Sequence, residues 1–207
     1  MPDVFPDRLR LPLDFDPARL AADMAAIAGA GWISHFVRQN YEGDWSVIPL
    51  RAQAGAQHPV QMIYSNPSAT AFEDTPFLAA APYLRAVLTA FCCPLQAVRL
   101  MRLTPGSVIK EHRDHDLRFA DGTVRLHIPV VTNEAVDFRL NGTRCVMAAG
   151  SCWYLRLSDP HSVANRGRSD RVHLVIDATV NDWVEGLFER AGAEPDRIAE
   201  KADFPVL

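Results

Sequence analysis

Two dipeptides, Asp121-Gly122 and Asn141-Gly142, each sit between short segments in which apolar and polar residues alternate. Each is a strong signal for a two-residue hairpin, because a type I′ turn needs positive φ at both central positions and Asn, Asp and Gly tolerate it. The first separates Leu117-Arg118-Phe119 from residues 124–131, and the second separates 136–140 from 144–147. Further alternating segments lie at 97–103, ahead of Pro105-Gly106, at 152–157 and at 171–176. Strands this closely spaced, with no helix between them, predict an antiparallel sandwich or jelly roll and argue against a parallel α/β sheet.

Helical periodicity flanks this region. Asp16-Pro17 supplies a cap residue and a first-turn proline for apolar residues three and four apart through Ile27, and Gly29 and Gly31 end that helix. A second helix is predicted from Thr75-Pro76 through Leu88, stopped by Pro94, and a third from Asn181 through Trp183, Leu187 and Phe188 towards Gly192. The expectation is a single domain over residues 1–207, mainly β with flanking helices. It comprises a mainly helical N-terminal part at 1–95 packing on the barrel, a β core at 96–178, and a C-terminal helix and tail at 179–207.

Composition narrows the function classes. With 21 Lys+Arg against 25 Asp+Glu, the net charge of −4 offers no basic surface to a phosphate backbone, so no nucleic-acid partner is expected. Apolar residues at 48% and charged residues at 22% exclude disorder and suffice for one sizeable core. The longest apolar stretches fall far short of the ~20 residues that cross a bilayer, so no membrane association is expected. The segment Met1-Pro2-Asp3-Val4-Phe5-Pro6-Asp7-Arg8 has acids and prolines where a signal peptide has bases and then an apolar run, and a cytoplasmic location is the expectation. The four cysteines, Cys92, Cys93, Cys145 and Cys152, form no C-x-x-C pair and read as small apolar fillers in a reducing compartment.

Five of the seven histidines, His112, His115, His127, His161 and His173, fall in the β region. In Glu111-His112-Arg113-Asp114 an imidazole and a carboxylate stand two residues apart, so extended backbone projects both from one face. His161 follows 49 residues later, after Asp159-Pro160. Two histidines and one carboxylate on one face of an octahedral ion are the facial triad of non-haem Fe(II) oxygenases, which leaves three positions for co-substrate and dioxygen. Arg171, ten residues beyond His161, opens an apolar strand that carries it inward. A buried guanidinium needs a carboxylate partner, and a bound 2-oxo acid supplies one through a bidentate pair. Each piece alone has a plainer reading. An H-x-D is commonly a surface turn, the Asp159-Pro160-His161 corner can be a simple loop, and Arg171 can pair with Asp170 or Asp177. His115 can replace His112 only by losing the carboxylate, since Leu117 stands two residues on. The joint spacing favours the metal centre.

The stretch from His112 to Asp177, with Arg125-Leu126-His127-Ile128-Pro129 inside it and Arg171-Val172-His173-Leu174-Val175-Ile176-Asp177 at its end, resembles the aspartyl/asparaginyl β-hydroxylase family of Fe(II)- and 2-oxoglutarate-dependent dioxygenases. It is most similar to the bacterial branch related to proline cis-4-hydroxylase and proline 3-hydroxylase. Trp32-Ile33-Ser34-His35 and the run from Tyr41 to Arg51 resemble that branch too. The resemblance implies a double-stranded β-helix, the jelly roll of cupin-like proteins. It implies His112, Asp114 and His161 as iron ligands, Arg171 on the far carboxylate of 2-oxoglutarate, and His127 on its near carboxylate. Arg125 is implied to hold the acid group of the substrate, with Trp45, Arg99 and His35 as further substrate contacts by family position. Period-2 geometry agrees in part, since Arg125 and His127 share one strand face. The plain alternatives are a rim arginine, a core histidine and ordinary packing. A serine of the peptide hydroxylases that helps hold the far carboxylate aligns with Met101, which cannot donate a hydrogen bond.

The implied activity is hydroxylation of an unactivated carbon on an amino acid, or on an Asp or Asn side chain in a peptide. Its requirements are Fe(II), 2-oxoglutarate and O2, with ascorbate as a supporting reductant, and its partner is a small molecule or peptide bearing a carboxylate. Two alternatives remain: an acyl-chain hydroxylase of the same family, which needs a long apolar groove, and a cupin-like metal-binding protein without oxoglutarate turnover.

Overall fold

The computed structural model describes residues 4–192, apart from 30, 65 and 67. Thirteen strands run in chain order as β1 Arg8–Asp14, β2 Ile33–Ser34, β3 Tyr41–Glu42, β4 Trp45–Gln53, β5 Phe72–Asp74, β6 Leu95–Leu103, β7 Val108–His112, β8 Thr123–Val131, β9 Val136–Leu140, β10 Thr143–Cys145, β11 Ser151–Leu155, β12 His161–Asn165 and β13 Arg171–Thr179. Five helices accompany them: α1 Pro17–Ala28, α2 Pro59–Ile63, α3 Pro76–Ala79, α4 Pro82–Leu88 and α5 Asp182–Gly192. The larger sheet has the order β1-β11-β8-β13-β6-β4-β2 with β5 also on β4, and the smaller has the order β10-β9-β12-β7-β3. All pairings are antiparallel. This is the jelly roll that the strand spacing predicts.

Period-2 alternation splits the larger sheet into two unlike faces. Leu126 and Ile128 of β8, Leu174 and Ile176 of β13, Val98 and Leu100 of β6 and Ile48 and Leu50 of β4 bury outward, under α1, α4 and α5. Leu20 and Ile27 of α1 and Val184, Leu187 and Phe188 of α5 close over them, each fully buried apolar side chain contributing about 1.5–3 kcal/mol. The opposite face looks into the sandwich, where Met101, Leu103, Trp153 and Val175 pack with Ile109, Phe138, Leu140 and Val163 of the smaller sheet. The same inward face carries Arg99, Arg125, His127, Arg171, His173 and Asp177, all buried. A polar cluster thus lies inside a barrel whose outer flank supplies most of the apolar burial.

Several expectations need correction. Among the described residues of 1–95, strand accompanies helix, because β1 and β4 are long strands of the larger sheet. In β1, Leu9 and Leu11 alternate with arginines and are buried; β4 is buried along nearly its whole length, so it shows no alternation. Pro49 within β4 lacks the N–H a ladder needs, and the register shifts there, between Pro49 and Arg51. The segment Leu117-Arg118-Phe119 is no strand. Phe119 packs edge-on against Phe5, Arg118 Nε meets Asp121 at 2.7 Å, and a short 3-10 turn ends at Gly122 with φ 81°. A three-residue strand offers too little pairing to compete with that packing. The helix expected over 75–88 is broken in two by Pro82. Cys145 and Cys152 are buried as expected, but Cys92 is exposed. The predicted tail beyond residue 192 lies outside the described residues. No helix among the described residues is long and apolar enough to cross a membrane.

Candidate active site

His112 closes β7 and His161 opens β12, and the two are directly opposed in the antiparallel ladder. Cross-strand pairing brings their ring centroids to 4.2 Å. Asp114 follows on the loop beyond β7, fixed by its backbone N–H to the carbonyl of Leu157 at 2.9 Å. One ligand-capable atom from each of His112, Asp114 and His161 falls within 4.8 Å of the other two. The Nδ1 of His112 lies 2.8 Å from the carbonyl of Lys110, and that of His161 lies 3.0 Å from the carbonyl of Asp159. A carbonyl only accepts, so each Nδ1 carries the proton and each Nε2 presents a lone pair. Burial pushes the His161 imidazole down to about 4, against the opposing pull of Asp114, so the ring is neutral at physiological pH, as a metal ligand must be. His115, the alternative, is exposed and outside this cluster.

A cavity of about 570 Å³ opens over these three residues and reaches Arg171, His127 and Asp177. Arg171 starts β13 and is 3% exposed. Its Nη2 donates to His173 Nδ1 at 2.8 Å, while its buried Nε has no hydrogen-bond partner among the described residues. The carboxylates weighed for it, Asp170 and Asp177, pair with other arginines. Burial alone pulls Arg171 down to about 9, which leaves it cationic at neutral pH. His127 Nδ1 approaches the same His173 nitrogen at 3.4 Å, and its buried Nε2 is also without a partner. Burial holds both imidazoles well below their usual range, so both are neutral. A buried cation facing no carboxylate among the described residues, beside an unspent imidazole nitrogen, is costly unless an anionic ligand completes it.

The other expected contacts are also on the cavity wall. Trp45 and His35 stack at 3.6 Å with an interplanar angle of 5°, and burial pushes His35 down to about 4. Arg125 does not simply point at open space. Its Nε and Nη2 hold Asp177 at 2.6 and 2.9 Å, and its Nη1 holds Asp114 at 2.6 Å. Arg99 also donates to Asp177, and to the carbonyl of Ile63 at 3.0 Å. Asp177, for which the sequence suggests no site role, lies on the cavity wall, and His173 is a buried, hydrogen-bonded histidine behind it. Counting by two from Arg171 reaches both 173 and 177, which was the available signal. Met101, which offers no hydrogen-bonding group, stands directly across the ladder from His173.

A family model described as aspartyl/asparaginyl beta-hydroxylase matches residues 18–180. The L-proline cis-4-hydroxylase of Rhizobium meliloti (strain 1021) is 30% identical over 176 residues, covering 84% of this chain. The chain spans 61% of the length of that relative. Among solved structures, an oxidoreductase of the 2OG-Fe(II) oxygenase family from Burkholderia pseudomallei superposes with a TM-score of 0.53, covering 85% of this chain and 88% of that one at 16% identity, which shows a shared fold.

Proposed function

The chain belongs to the aspartyl/asparaginyl β-hydroxylase family, and from that premise we propose that it is an Fe(II)- and 2-oxoglutarate-dependent dioxygenase hydroxylating an unactivated carbon of a small acidic-group substrate. The observation that carries the reading is Arg171, a buried guanidinium with no carboxylate against it among the described residues, on the wall of the same cavity as two imidazoles and a carboxylate. The donor set of His112, Asp114 and His161 fits Fe(II) by ligand type and leaves positions open. A bound Fe(II) would supply the dioxygen activation that an unactivated carbon requires, two electrons coming from oxidative decarboxylation of the 2-oxo acid to succinate and two from the hydroxylated C–H bond.

The chain's own residues do the rest. Arg171 takes the far carboxylate of the co-substrate, and His173 fixes the guanidinium by accepting from Nη2. When His127 gives up its long 3.4 Å contact with His173, its proton can sit on Nε2 and be donated to the near carboxylate. Arg99 and Arg125 share Asp177, and Asp114 balances the remaining positive charge. Once a metal shares the charge of Asp114, that cluster favours a substrate carboxylate on the same wall, with Trp45 and His35 flanking its carbon frame. With Asp114 committed to a metal, the arginine pair would suit a free amino acid or a short acidic peptide. An acyl chain would bring only methylenes to it. The relative named above acts on L-proline, which makes a free cyclic amino acid the first substrate to supply. A cytoplasmic setting, with ascorbate keeping iron reduced, is part of the proposal.

The test is succinate formation from 2-oxoglutarate with Fe(II) and ascorbate, with proline, with pooled amino acids and with neither. Succinate stimulated by an amino acid is expected, and none under any condition overturns the reading in favour of a cupin-like binding protein. Arg171→Ala should raise the 2-oxoglutarate KM by at least about 30-fold, corresponding to ~2 kcal/mol for a truncated buried charge pair. An unchanged KM removes Arg171 from the co-substrate site.

A further inference from the structure

We propose that Arg125 is the positioning residue that makes Asp114 a one-oxygen ligand, and that Asp177 is the anchor holding Arg125 to that task. The inference rests on the reading of His112, Asp114 and His161 as the metal set. The two oxygens of Asp114 have different company. Oδ1 lies 3.6 Å from His112 Nε2, on the side where the ligand atoms converge, and Oδ2 lies 2.6 Å from Arg125 Nη1. Offering both oxygens to one ion would break a charge-assisted hydrogen bond. Holding Oδ2 back therefore keeps coordination positions free for co-substrate and oxygen.

Asp114 needs such a hold because it stands on a loop and is only partly buried. Arg125 can provide it because the guanidinium cannot swing. Asp177 is its cross-strand partner between β13 and β8, and grips Nε and Nη2 as a fork. Arg99, one strand further on, donates to the same carboxylate and is itself tied to the carbonyl of Ile63. Charges alternate along the chain Arg99, Asp177, Arg125, Asp114, each member meeting an opposite neighbour.

Cobalt(II) is the probe, added without oxygen to wild type, Arg125→Met, Arg125→Lys, Asp177→Asn and His161→Ala, and read by its visible ligand-field spectrum. Melting of the metal-free proteins checks folding. Wild type should bind one ion and His161→Ala none. Arg125→Met should bind at least about 10-fold more weakly and with an altered spectrum, the size expected for groups that orient a ligand. Arg125→Lys keeps the charge without the planar fork and should recover only part of the affinity. Asp177→Asn should shift in the same direction. Arg125→Met decides the matter if Asp177→Asn fails to fold, because it leaves Arg99 and Asp177 as a neutral pair. Unchanged affinity and spectrum in Arg125→Met overturn the inference and leave the metal set standing. No binding by wild type, or retained binding by His161→Ala, overturns both.

Discussion

Arg171, His173 and His127 form a buried run in which one guanidinium donates to one imidazole and a second imidazole leans on the same acceptor. His173 serves Arg171 in the place where Met101 offers nothing polar. Removing the acceptor in His173→Leu should raise the 2-oxoglutarate KM about 5–10-fold, near 1 kcal/mol for one hydrogen bond, with little change in kcat, as steady-state kinetics would show. An effect on kcat alone would contradict that role. The ligand-like residues and Arg171 were legible because side-chain chemistry and spacing along the chain, two residues from His112 to Asp114 and ten from His161 to Arg171, carry them. Asp177 was not. Its partners, Arg99 and Arg125, come from the two neighbouring strands, and which residues face each other across a sheet is a matter of register that spacing along one strand does not display.

The turn at Asn141-Gly142 does more than join β9 to β10. Asn141 adopts φ 49° and Gly142 φ 73°, as a type I′ turn requires. The Asn141 side chain donates to Asp159 at 2.7 Å and to Asp7 at 2.8 Å, and its backbone N–H donates to Pro160 at 2.9 Å. The hairpin tip thus braces the corner that presents His161. Asn141→Ala adds left-handed strain and removes two side-chain bonds, so urea unfolding should show a loss of about 1–2 kcal/mol; no loss would mean the brace is idle. This hairpin was readable because dipeptide and flanking alternation agree. At Asp121-Gly122 they agree less, and aromatic packing of Phe119 prevails. β4 escaped notice because it is buried nearly throughout and carries Pro49, while β7 and β12 are short and punctuated by the ligand residues themselves.

The whole molecule sets an apolar outer flank against a charged interior, and this has a consequence for pH. His35, His127 and His173 are held neutral by burial, their folded values lying below the usual ~6.5 of a free imidazole. Between those values the unfolded chain binds more protons than the folded one, so stability rises with pH there. The metal-free protein should be most stable above about pH 6.5 and lose up to ~1.4 kcal/mol per pH unit for each such histidine as pH falls towards 4. Urea midpoints that stay flat over that window would contradict it. The claim on which everything else depends is that His112, Asp114 and His161 hold Fe(II) where a 2-oxo acid anchored on Arg171 can chelate it. Fe(II) and then 2-oxoglutarate, added without oxygen to wild type and to His161→Ala, test it through the visible charge-transfer band of an Fe(II)–2-oxo acid chelate. The band should form in wild type and be missing in His161→Ala; its absence from wild type, or its full strength in His161→Ala, would contradict the account.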